Sequence, residues 1–336
     1  MKFHLAFDIK SPPLKIHHKH PLFLIGSCFT ENIGEKLKRG KFQILENPNG
    51  ILFNPVSVAE ALMSYMENSP TDRQFIFRHN EVWHSWKHHS RFSALTAEQC
   101  IANIREATGA AHDFLKKTNH LMITLGSAWL YQLTAQAPNA MEGTVAANNH
   151  KGPAGWFEKR LMPAEEMIAV FEKLIEKLLR FNPAIQLVFT ISPVRHLREG
   201  VIENNRSKAA LIQAIHFLAD KYPDRIYYFP AYELVIDDLR DYRFYAEDLV
   251  HPNYFATQYV WEKLTESCMT NETILLLKDI ADINLAFQHK PFNPDTIQHR
   301  QFLQNYWEKT IALQEKYSFL DFSAEIDYFQ SGKRNS

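Results

Sequence analysis

The stretch LFLIGSCFTENIGEKLKR at residues 22–39 decides the fold class. Its first five residues, Leu22–Gly26, form an uninterrupted apolar run. Such a run is typical of a strand in a parallel sheet that helices cover on both faces. Residues Thr30–Arg39 have helical character and end before Gly40, a residue suited to a helix C-terminus. The stretch therefore predicts a strand that leads directly into a helix.

Four further segments share the apolar, β-branched or aromatic character of a buried strand: Phe42–Leu45, Leu121–Leu125, Gln186–Ile191 and Ile226–Phe229. Helical patterns lie between the five strands: Ser57–Glu67, Thr96–Lys117, Pro163–Phe181, Ser207–Asp220 and, after the last strand, Tyr254–Thr270. Alternating strands and helices indicate right-handed crossovers. We therefore expect an α/β fold with a doubly wound, flavodoxin-like, mostly parallel five-stranded sheet.

The pattern changes after about residue 270. From there the chain contains long helical runs and no further segment with strand character. We expect one α/β domain over residues 1–270 and a helical C-terminal extension over residues 271–336 that packs on it.

Composition excludes several classes of partner. The 336 residues include 37 Lys+Arg and 38 Asp+Glu, which leaves no basic excess for a phosphate backbone. No segment approaches the roughly 20 apolar residues of a membrane span, and the N-terminus lacks the apolar core of a secretory signal. Three cysteines without a C-x-x-C pattern indicate free thiols in a reducing compartment. We expect a cytoplasmic protein with neither nucleic acid nor membrane as a partner.

The first candidate site is Ser27-Cys28, between the first strand and the first helix. Ligands of open parallel sheets bind at the carboxyl ends of the strands. The unpaired N–H groups of a helix N-terminus lower the pKa of a thiol there and can donate to an oxyanion. On local sequence alone, a structural interpretation is favoured, with Ser27 as the N-cap and Cys28 as a small buried residue.

The second candidate site is Asp248-Leu-Val-His251, between the last strand and the last helix of the α/β domain. This spacing lets the carboxylate accept a hydrogen bond from the Nδ1–H of the imidazole, which leaves Nε2 to face a nucleophile. A D-x-x-H pattern arises easily by chance in a chain with 16 histidines. Its position in the fold therefore supports the pair more than the pattern does.

Several separated motifs resemble the GSCFA-domain proteins, which are similar to SGNH (GDSL-type) hydrolases. The motifs are FLIGSCFTENIG (23–34), NPNGILFNP (47–55), ITLGSAW (123–129), NNHKGP (148–153) and ISPVRHLREG (191–200). The resemblance implies that Cys28 takes the place of the nucleophilic serine and Ser27 that of the preceding aspartate. It also implies that His251 is the base and Asp248 the residue that orients it. Ser27 stays open as an alternative nucleophile.

The resemblance is incomplete at the oxyanion hole. Gly50 matches the glycine of the superfamily, but Gly126-Ser-Ala-Trp129 has no asparagine where a Gly-x-Asn-Asp block is expected. Asn148 or Asn149, in a long polar loop, is a candidate for the missing amide donor.

Other polar residues are predicted to bind substrate: His84, His150, Lys151, Arg195 and His196. For Arg195-His196 an anion-binding role and a structural ion pair both stay open, and the same holds for His150-Lys151. The histidines around His84 lack the acidic residue of a motif such as H-E-x-x-H. We therefore expect neither a metal nor another cofactor.

Together these motifs predict an SGNH-like hydrolase or acyltransferase with a Cys/Ser-His-Asp triad. The resemblance implies a small-molecule acyl ester or an acylated carbohydrate, such as an acetylated sugar, as the substrate. Two alternatives stay open, namely a non-catalytic binding module on the same fold and a cysteine thioesterase or peptidase.

Overall fold

The computed structural model describes residues 5, 7–69, 73–139 and 141–332. In chain order the strands are β1 (Leu22–Gly26), β2 (Ile44–Glu46), β3 (Ile76–His79), β4 (Val82–Ser85), β5 (His120–Leu125), β6 (Trp129–Leu133), β7 (Phe157–Leu161), β8 (Gln186–Ile191) and β9 (Ile226–Tyr228). The helices are α1 (Cys28–Arg39), α2 (Pro55–Glu67), α3 (Ala97–Lys117), α4 (Ala164–Phe181), α5 (Val201–Lys221), α6 (Ala231–Glu233), α7 (Tyr254–Cys268), α8 (Asn271–Gln288), α9 (Ile297–Lys316) and α10 (Ser323–Ser331). None of these helices is long and apolar enough to cross a membrane.

The central sheet has the order β2-β1-β5-β8-β9, and every neighbouring pair of strands is parallel. This is the flavodoxin-like arrangement of a doubly wound fold, so the predicted fold class is confirmed. All five predicted strands are present, and only their ends differ. The strand predicted at Phe42–Leu45 lies at Ile44–Glu46, for example, while Phe42 packs in the core just before it.

Alternate side chains of β1 show why the strands are apolar throughout. Phe23 and Ile25 belong to a core cluster with residues of α2, α3, α4 and α5. Leu22 and Leu24 point to the opposite face, where they join residues of α1 and α7. Because both faces of the sheet are covered, a strand has no face to leave polar.

Two antiparallel hairpins, β3–β4 and β6–β7, lie outside the central sheet. Neither hairpin is predicted from the sequence. The turn of the first one places both Asn80 and Glu81 at positive φ, 47° and 67°. Such a turn usually has glycine at its second position. With glutamate there, the sequence lacks the pattern that predicts a hairpin. The rings of Phe77 and Trp86 stack at 3.6 Å and anchor this hairpin in a separate aromatic cluster.

The C-terminal helices α8, α9 and α10 pack around a cluster of their own. They also contact the α/β part of the chain. Lys41, just after α1, forms a 2.8 Å ion pair with Glu325, and the Asn284 amide donates to the carbonyl oxygen of Arg39 at 2.8 Å. The C-terminus is thus helical, as expected, and the domain boundary at residue 270 stays a prediction.

Gly26 fixes how closely β1 and β5 approach at their carboxyl ends. Its φ is +142°, and a Cβ atom there would lie 2.1 Å from the carbonyl oxygen of Thr124. The Gly26 N–H donates to Oδ1 of Asn47 at 2.8 Å, and the Ser27 N–H donates to the Thr124 carbonyl at 3.1 Å. Only glycine combines this φ with this contact, so the first candidate site is held directly against the end of β5.

We predict that Gly26→Ala destabilises the protein by at least about 2 kcal/mol, because the new methyl group adds both backbone strain and overpacking. Gly109→Ala is the matched control, since Gly109 lies within α3 and its Cβ would meet nothing within 4 Å. That control is expected to be neutral or to stabilise by up to about 1 kcal/mol. Urea denaturation, followed by circular dichroism, measures the free energy of unfolding of both variants. Equal stability of the two variants would contradict the proposed role of Gly26.

Candidate active site

Ser27 and Cys28 open helix α1 at the carboxyl end of β1. Ser27 is the N-cap residue and is fully buried, but its side chain makes no capping hydrogen bond. Its Oγ has no hydrogen-bond partner among the residues that the structure describes. Cys28 is the first residue of the helix and is half-buried. Cys28 is therefore the more accessible of the two candidate nucleophiles.

The expectation of a lowered thiol pKa at Cys28 is wrong for the unliganded chain. Burial is the largest effect, and it raises the pKa of the thiol. The carboxylate of Glu31 raises it as well. The N–H groups of Cys28 and Phe29 and the charge of Lys208 lower it, but their sum does not offset the burial.

Asp248 and His251 form the predicted hydrogen bond. Nδ1 of His251 lies 2.7 Å from Oδ2 of Asp248. The other carboxylate oxygen accepts from the N–H groups of Val250 (2.9 Å) and His251 (3.0 Å). The backbone N–H of His251, followed by its imidazole, lowers the pKa of Asp248 to about 2. Nε2 of His251 has no hydrogen-bond partner within the described residues, as a general base requires.

The loop that carries His251 borders the same cavity as helix α1. Asn32 lies one turn after Cys28 and donates to its carbonyl oxygen at 3.5 Å. Asn32 lines a cavity of about 290 Å³ together with Pro252, the residue after His251. The cavity thus brings helix α1 close to the loop of His251, but neither Cys28 nor His251 lines it, and no hydrogen bond joins their side chains in the described part of the chain.

His196 packs against Ser27 across Gly126. A Cβ atom on Gly126 would lie 3.0 Å from Nε2 of His196 and 3.3 Å from Cβ of Ser27. Burial, together with the charges of Lys208 and His251, lowers the pKa of His196 to about 3. His196 is therefore neutral near neutral pH, with an Nε2 that has no partner among the described residues.

A cavity of about 350 Å³ opens beside this point, and four of the predicted residues line it: Asn148, Asn149, Arg195 and His196. Ser127, Trp129 and Tyr131 contribute to the same lining. Oδ1 of Asn148 accepts from the N–H of His150 at 2.8 Å, which leaves the amide N–H groups of Asn148 without a partner in the described chain. Asn148 and Asn149 thus border a cavity at the carboxyl end of the sheet.

The N–H of Gly50 is already used. It donates to the carbonyl oxygen of Asn47 at 2.7 Å, in a turn that holds Gly50 at a φ of +80°. The predicted contribution of this N–H to an oxyanion hole therefore finds no support in the structure.

His84, His150 and Lys151 do not line the 350 Å³ cavity. The ring nitrogens of His84 lie 2.6 Å from Ser93 Oγ and 3.2 Å from the carbonyl oxygen of His79. Those of His150 lie 3.1 Å from Ser90 Oγ and 2.8 Å from the Ser85 carbonyl oxygen.

Both histidine rings pack in the aromatic cluster around Phe77, and the Lys151 side chain is exposed. The predicted substrate-binding role of these three residues therefore finds no support either, because the histidine ring nitrogens already bind protein atoms and Lys151 lies outside the cavity lining.

Arg195 connects the loop after β8 to the loop of His251. Its Nη1 donates to the carbonyl oxygen of Leu249 at 3.1 Å, and its N–H donates to that of Val250 at 3.2 Å. The guanidinium group lies 4.2 Å from the ring centroid of Tyr245. Arg195 forms no ion pair among the described residues and holds the loop that carries the candidate base, while its predicted anion-binding role stays a prediction.

Lys208 on α5 is the residue that sequence reasoning missed. It is 1% exposed, and its Nζ donates to the carbonyl oxygens of Gly126 and Ser192, both at 2.7 Å. These carbonyls follow the ends of β5 and β8. Lys208 shares the buried face of α5 with Leu211 and Ile215. A lysine on the apolar face of a helix is the sequence signal that could have found it.

The structure gives no indication of a metal centre in its described part. No group of three or more His, Cys, Asp or Glu side chains could hold an ion among residues 7–69, 73–139 and 141–332. His84 and His88 bind Ser93 and Ser85 instead.

The fold and the site define a doubly wound α/β protein with a Cys, a His–Asp pair and a buried Lys near the carboxyl ends of its strands. The chain belongs to the GSCFA family, whose model matches residues 21–264. A second model, the C-terminal domain of GSCFA domain proteins, matches residues 280–334. No curated protein matches the chain.

Two solved structures are similar at low sequence identity. One is a carbohydrate esterase family 3 protein from Talaromyces cellulolyticus, with 10% identity and a TM-score of 0.35 over 77% of this chain and 99% of that one. The other is an acetyl esterase mutant with acetate ion, with 11% identity and a TM-score of 0.34 over 78% and 99% of the two chains.

The buried histidines make stability depend on pH. Burial lowers the pKa of four histidines to about 3 or 4: His88, His120, His150 and His196. In the unfolded chain these histidines have pKa values near 6.5. Below that pH the unfolded chain therefore binds more protons than the folded chain. We predict that stability falls from pH 6.5 to pH 4, by about 1.4 kcal/mol per pH unit for each proton taken up.

Urea denaturation at several pH values measures this slope. His150→Gln should reduce the slope by about one proton, because it removes a histidine whose pKa burial lowers to about 4. If His150→Gln and the unmodified chain had the same slope, the lowered pKa of His150 would not contribute to the pH dependence of stability, which would contradict the prediction.

Proposed function

We propose that this protein is an SGNH-like hydrolase or acyltransferase that cleaves a small O-acyl ester through Cys28, His251 and Asp248. The observation that carries the proposal is the 2.7 Å hydrogen bond from His251 to Asp248, on a loop that borders the same cavity as the helix opened by Cys28. Nucleophilic acyl transfer requires a thiol and an oriented imidazole with a free Nε2, and the chain has the thiol at a helix N-terminus and the imidazole bound to Asp248.

The reaction has two balanced steps. Cys28 Sγ attacks the acyl carbonyl carbon while Nε2 of His251 accepts the thiol proton, and that proton then goes to the departing alkoxide as the C–O bond breaks. A thioester is left on Cys28. Water, or an acceptor alcohol in the transferase case, then attacks the thioester carbonyl, gives its proton to His251 and restores the thiol. Asp248 stabilises the imidazolium in both steps.

The oxyanion of each tetrahedral intermediate needs hydrogen-bond donors. The N–H of Cys28 is at the start of α1, and the amides of Asn148 and Asn149 line the adjacent 350 Å³ cavity. A cavity of this volume, with Trp129 and Tyr131 in its lining, suits a small acyl ester or an acylated sugar.

A non-catalytic binding module is the second candidate. The observation that favours it is the burial of Cys28, which raises the pKa of the thiol in the unliganded chain. In that case the same cavity binds an acylated ligand without cleaving it.

Hydrolysis of p-nitrophenyl acetate tests the proposal. We predict that Cys28→Ala and His251→Gln each lower kcat/KM at least about 100-fold, because they remove the nucleophile and the general base. Ser27→Ala should keep most of the activity, since Ser27 is fully buried. His289→Gln replaces an exposed histidine elsewhere and serves as the matched control.

The outcomes separate the candidates. Loss of activity in Ser27→Ala alone would make Ser27 the nucleophile, and full turnover in both Cys28→Ala and Ser27→Ala would contradict the site. Preference for acyl-CoA or peptide substrates over the ester would favour a thioesterase or peptidase. No turnover of any of these substrates, with retained binding of acetylated sugars, would favour the binding module.

A further inference from the structure

The lining of the cavity of about 350 Å³ carries more positive than negative charge. Two arginines, Arg195 and Arg198, line it, and Glu199 is the one carboxylate among the described residues of the lining. Glu199 already has a cationic partner, because Nζ of Lys159 lies 2.9 Å from its Oε1. The two guanidinium groups are therefore left without a compensating negative charge in the wall of the cavity.

The carboxylate of Glu199 is held in place and ionised. The hydroxyl of Tyr131 donates to Oε1 of Glu199 at 2.8 Å, and the ammonium group of Lys159 donates to the same oxygen. Burial raises the pKa of Glu199, but these two hydrogen bonds and the charges of Lys159 and Arg198 lower it by more. The charges of Glu199 and Lys159 thus cancel each other, and those of the arginines remain.

The acidic residues next to the cavity are also occupied. Both carboxylate oxygens of Glu203 accept from Arg206, at 3.1 and 2.9 Å. The carboxylate of Asp248 is bound to His251. Neither arginine of the cavity lining forms an ion pair in the part of the chain that the structure describes. The protein itself therefore supplies no counter-ion for them.

Aromatic rings support the two guanidinium groups. That of Arg198 lies 5.4 Å from the ring centroid of Tyr131, and that of Arg195 lies 4.2 Å from the ring centroid of Tyr245. A ring contact occupies the face of a guanidinium group and leaves the N–H groups at its edge available. Those N–H groups match the geometry of a carboxylate or a phosphate. Since Arg198 is exposed, a ligand can reach it.

The cavity also adjoins residues next to the candidate nucleophile and base. His196 lines it and packs near Ser27, the residue before Cys28. Arg195 lines it as well and holds the loop of His251 through a carbonyl oxygen of that loop. A ligand in this cavity therefore lies at the same edge of the sheet as the candidate active site.

We propose that this cavity binds an acylated sugar with an acidic group, a carboxylate or a phosphate, and that Arg198 binds that group. The inference rests on the proposed function and deepens it by naming the class of substrate. Arg195 contributes its charge while it holds the loop of His251. Trp129 and Tyr131 supply the apolar part of the lining for the sugar ring.

Binding of sugars that carry no ester tests the inference separately from catalysis. Isothermal titration calorimetry of the unmodified chain compares glucuronate, glucose 6-phosphate and glucose, the neutral match. At least one of the two anions should bind at least about 10-fold more tightly than glucose, because charge-assisted hydrogen bonds are stronger than neutral ones. The anion that binds distinguishes a carboxylate from a phosphate. If neither anion bound more tightly than glucose, the inference would be overturned.

Three variants with different expected signs assign this binding to the cavity. Arg198→Gln should raise the Kd of the preferred anion about 10-fold or more, because it removes the charge and the paired N–H groups. Lys159→Met should raise the Kd as well, since it leaves the charge of Glu199 uncompensated, whereas Glu199→Gln should lower it. Arg180→Gln, at an exposed position near the end of α4, is the matched control and should leave the Kd unchanged.

Circular dichroism verifies that each variant is folded. An unchanged Kd in folded Arg198→Gln would overturn the inference. So would tighter binding in Lys159→Met together with weaker binding in Glu199→Gln, and this second criterion does not depend on the folding of Arg198→Gln. The affinity for the anion should also fall when NaCl is raised from about 0.05 M to about 0.5 M, because salt screens an exposed charge pair.

Hydrolysis of matched esters separates the inference from the proposed function. The acetyl ester of the preferred acidic sugar should have a kcat/KM at least about 10-fold above that of acetylated glucose, and Arg198→Gln should remove most of this ratio, mainly through KM. Cleavage of both esters with equal kcat/KM would overturn the inference and leave the proposed function intact. Anion binding without cleavage of either ester would contradict the proposed function and retain the cavity as a site for acidic sugars.

Discussion

The backbones of β1 and β5 meet at Gly26, and the rest of the site depends on this contact. The contact exists because residue 26 has no Cβ, which would otherwise lie 2.1 Å from the Thr124 carbonyl oxygen. Ser27 and Cys28 follow immediately, and the end of β5 places Gly126 against Ser27. Lys208 then joins the ends of β5 and β8 through two carbonyl oxygens. One close approach of two strands thus gathers residues from three parts of the chain.

The central sheet could be predicted from the sequence because burial on both faces leaves its strands apolar throughout. The helices could be predicted from their periodicity and their caps: the hydroxyl of Thr96 accepts from the Gln99 N–H at 3.2 Å, as its sequence pattern indicates. The hairpins could not be predicted as such. Their strands are short and only partly buried, and a turn through Asn80 and Glu81 lacks the usual glycine.

The candidate site, too, has one part that could be predicted from the sequence and one part that depends on tertiary packing. Asp248 and His251 are three residues apart, so their hydrogen bond is a local property that the spacing reveals. The protonation of Cys28 is a balance between burial and the N–H groups of α1, and burial depends on how the whole domain packs. The use of the Gly50 N–H in a turn and the position of Lys208 between two strand ends are likewise tertiary properties.

The central claim is that Cys28 and His251 face each other at one edge of the sheet. Treatment with 1,3-dibromoacetone tests it directly, because this reagent alkylates a thiol and then bridges it to an imidazole within the reach of three carbon atoms. Peptide mapping of the unmodified chain should find Cys28 joined to His251, and His251→Gln should yield only the single adduct. A bridge from Cys28 to another histidine, or a single adduct in the unmodified chain, would contradict the account.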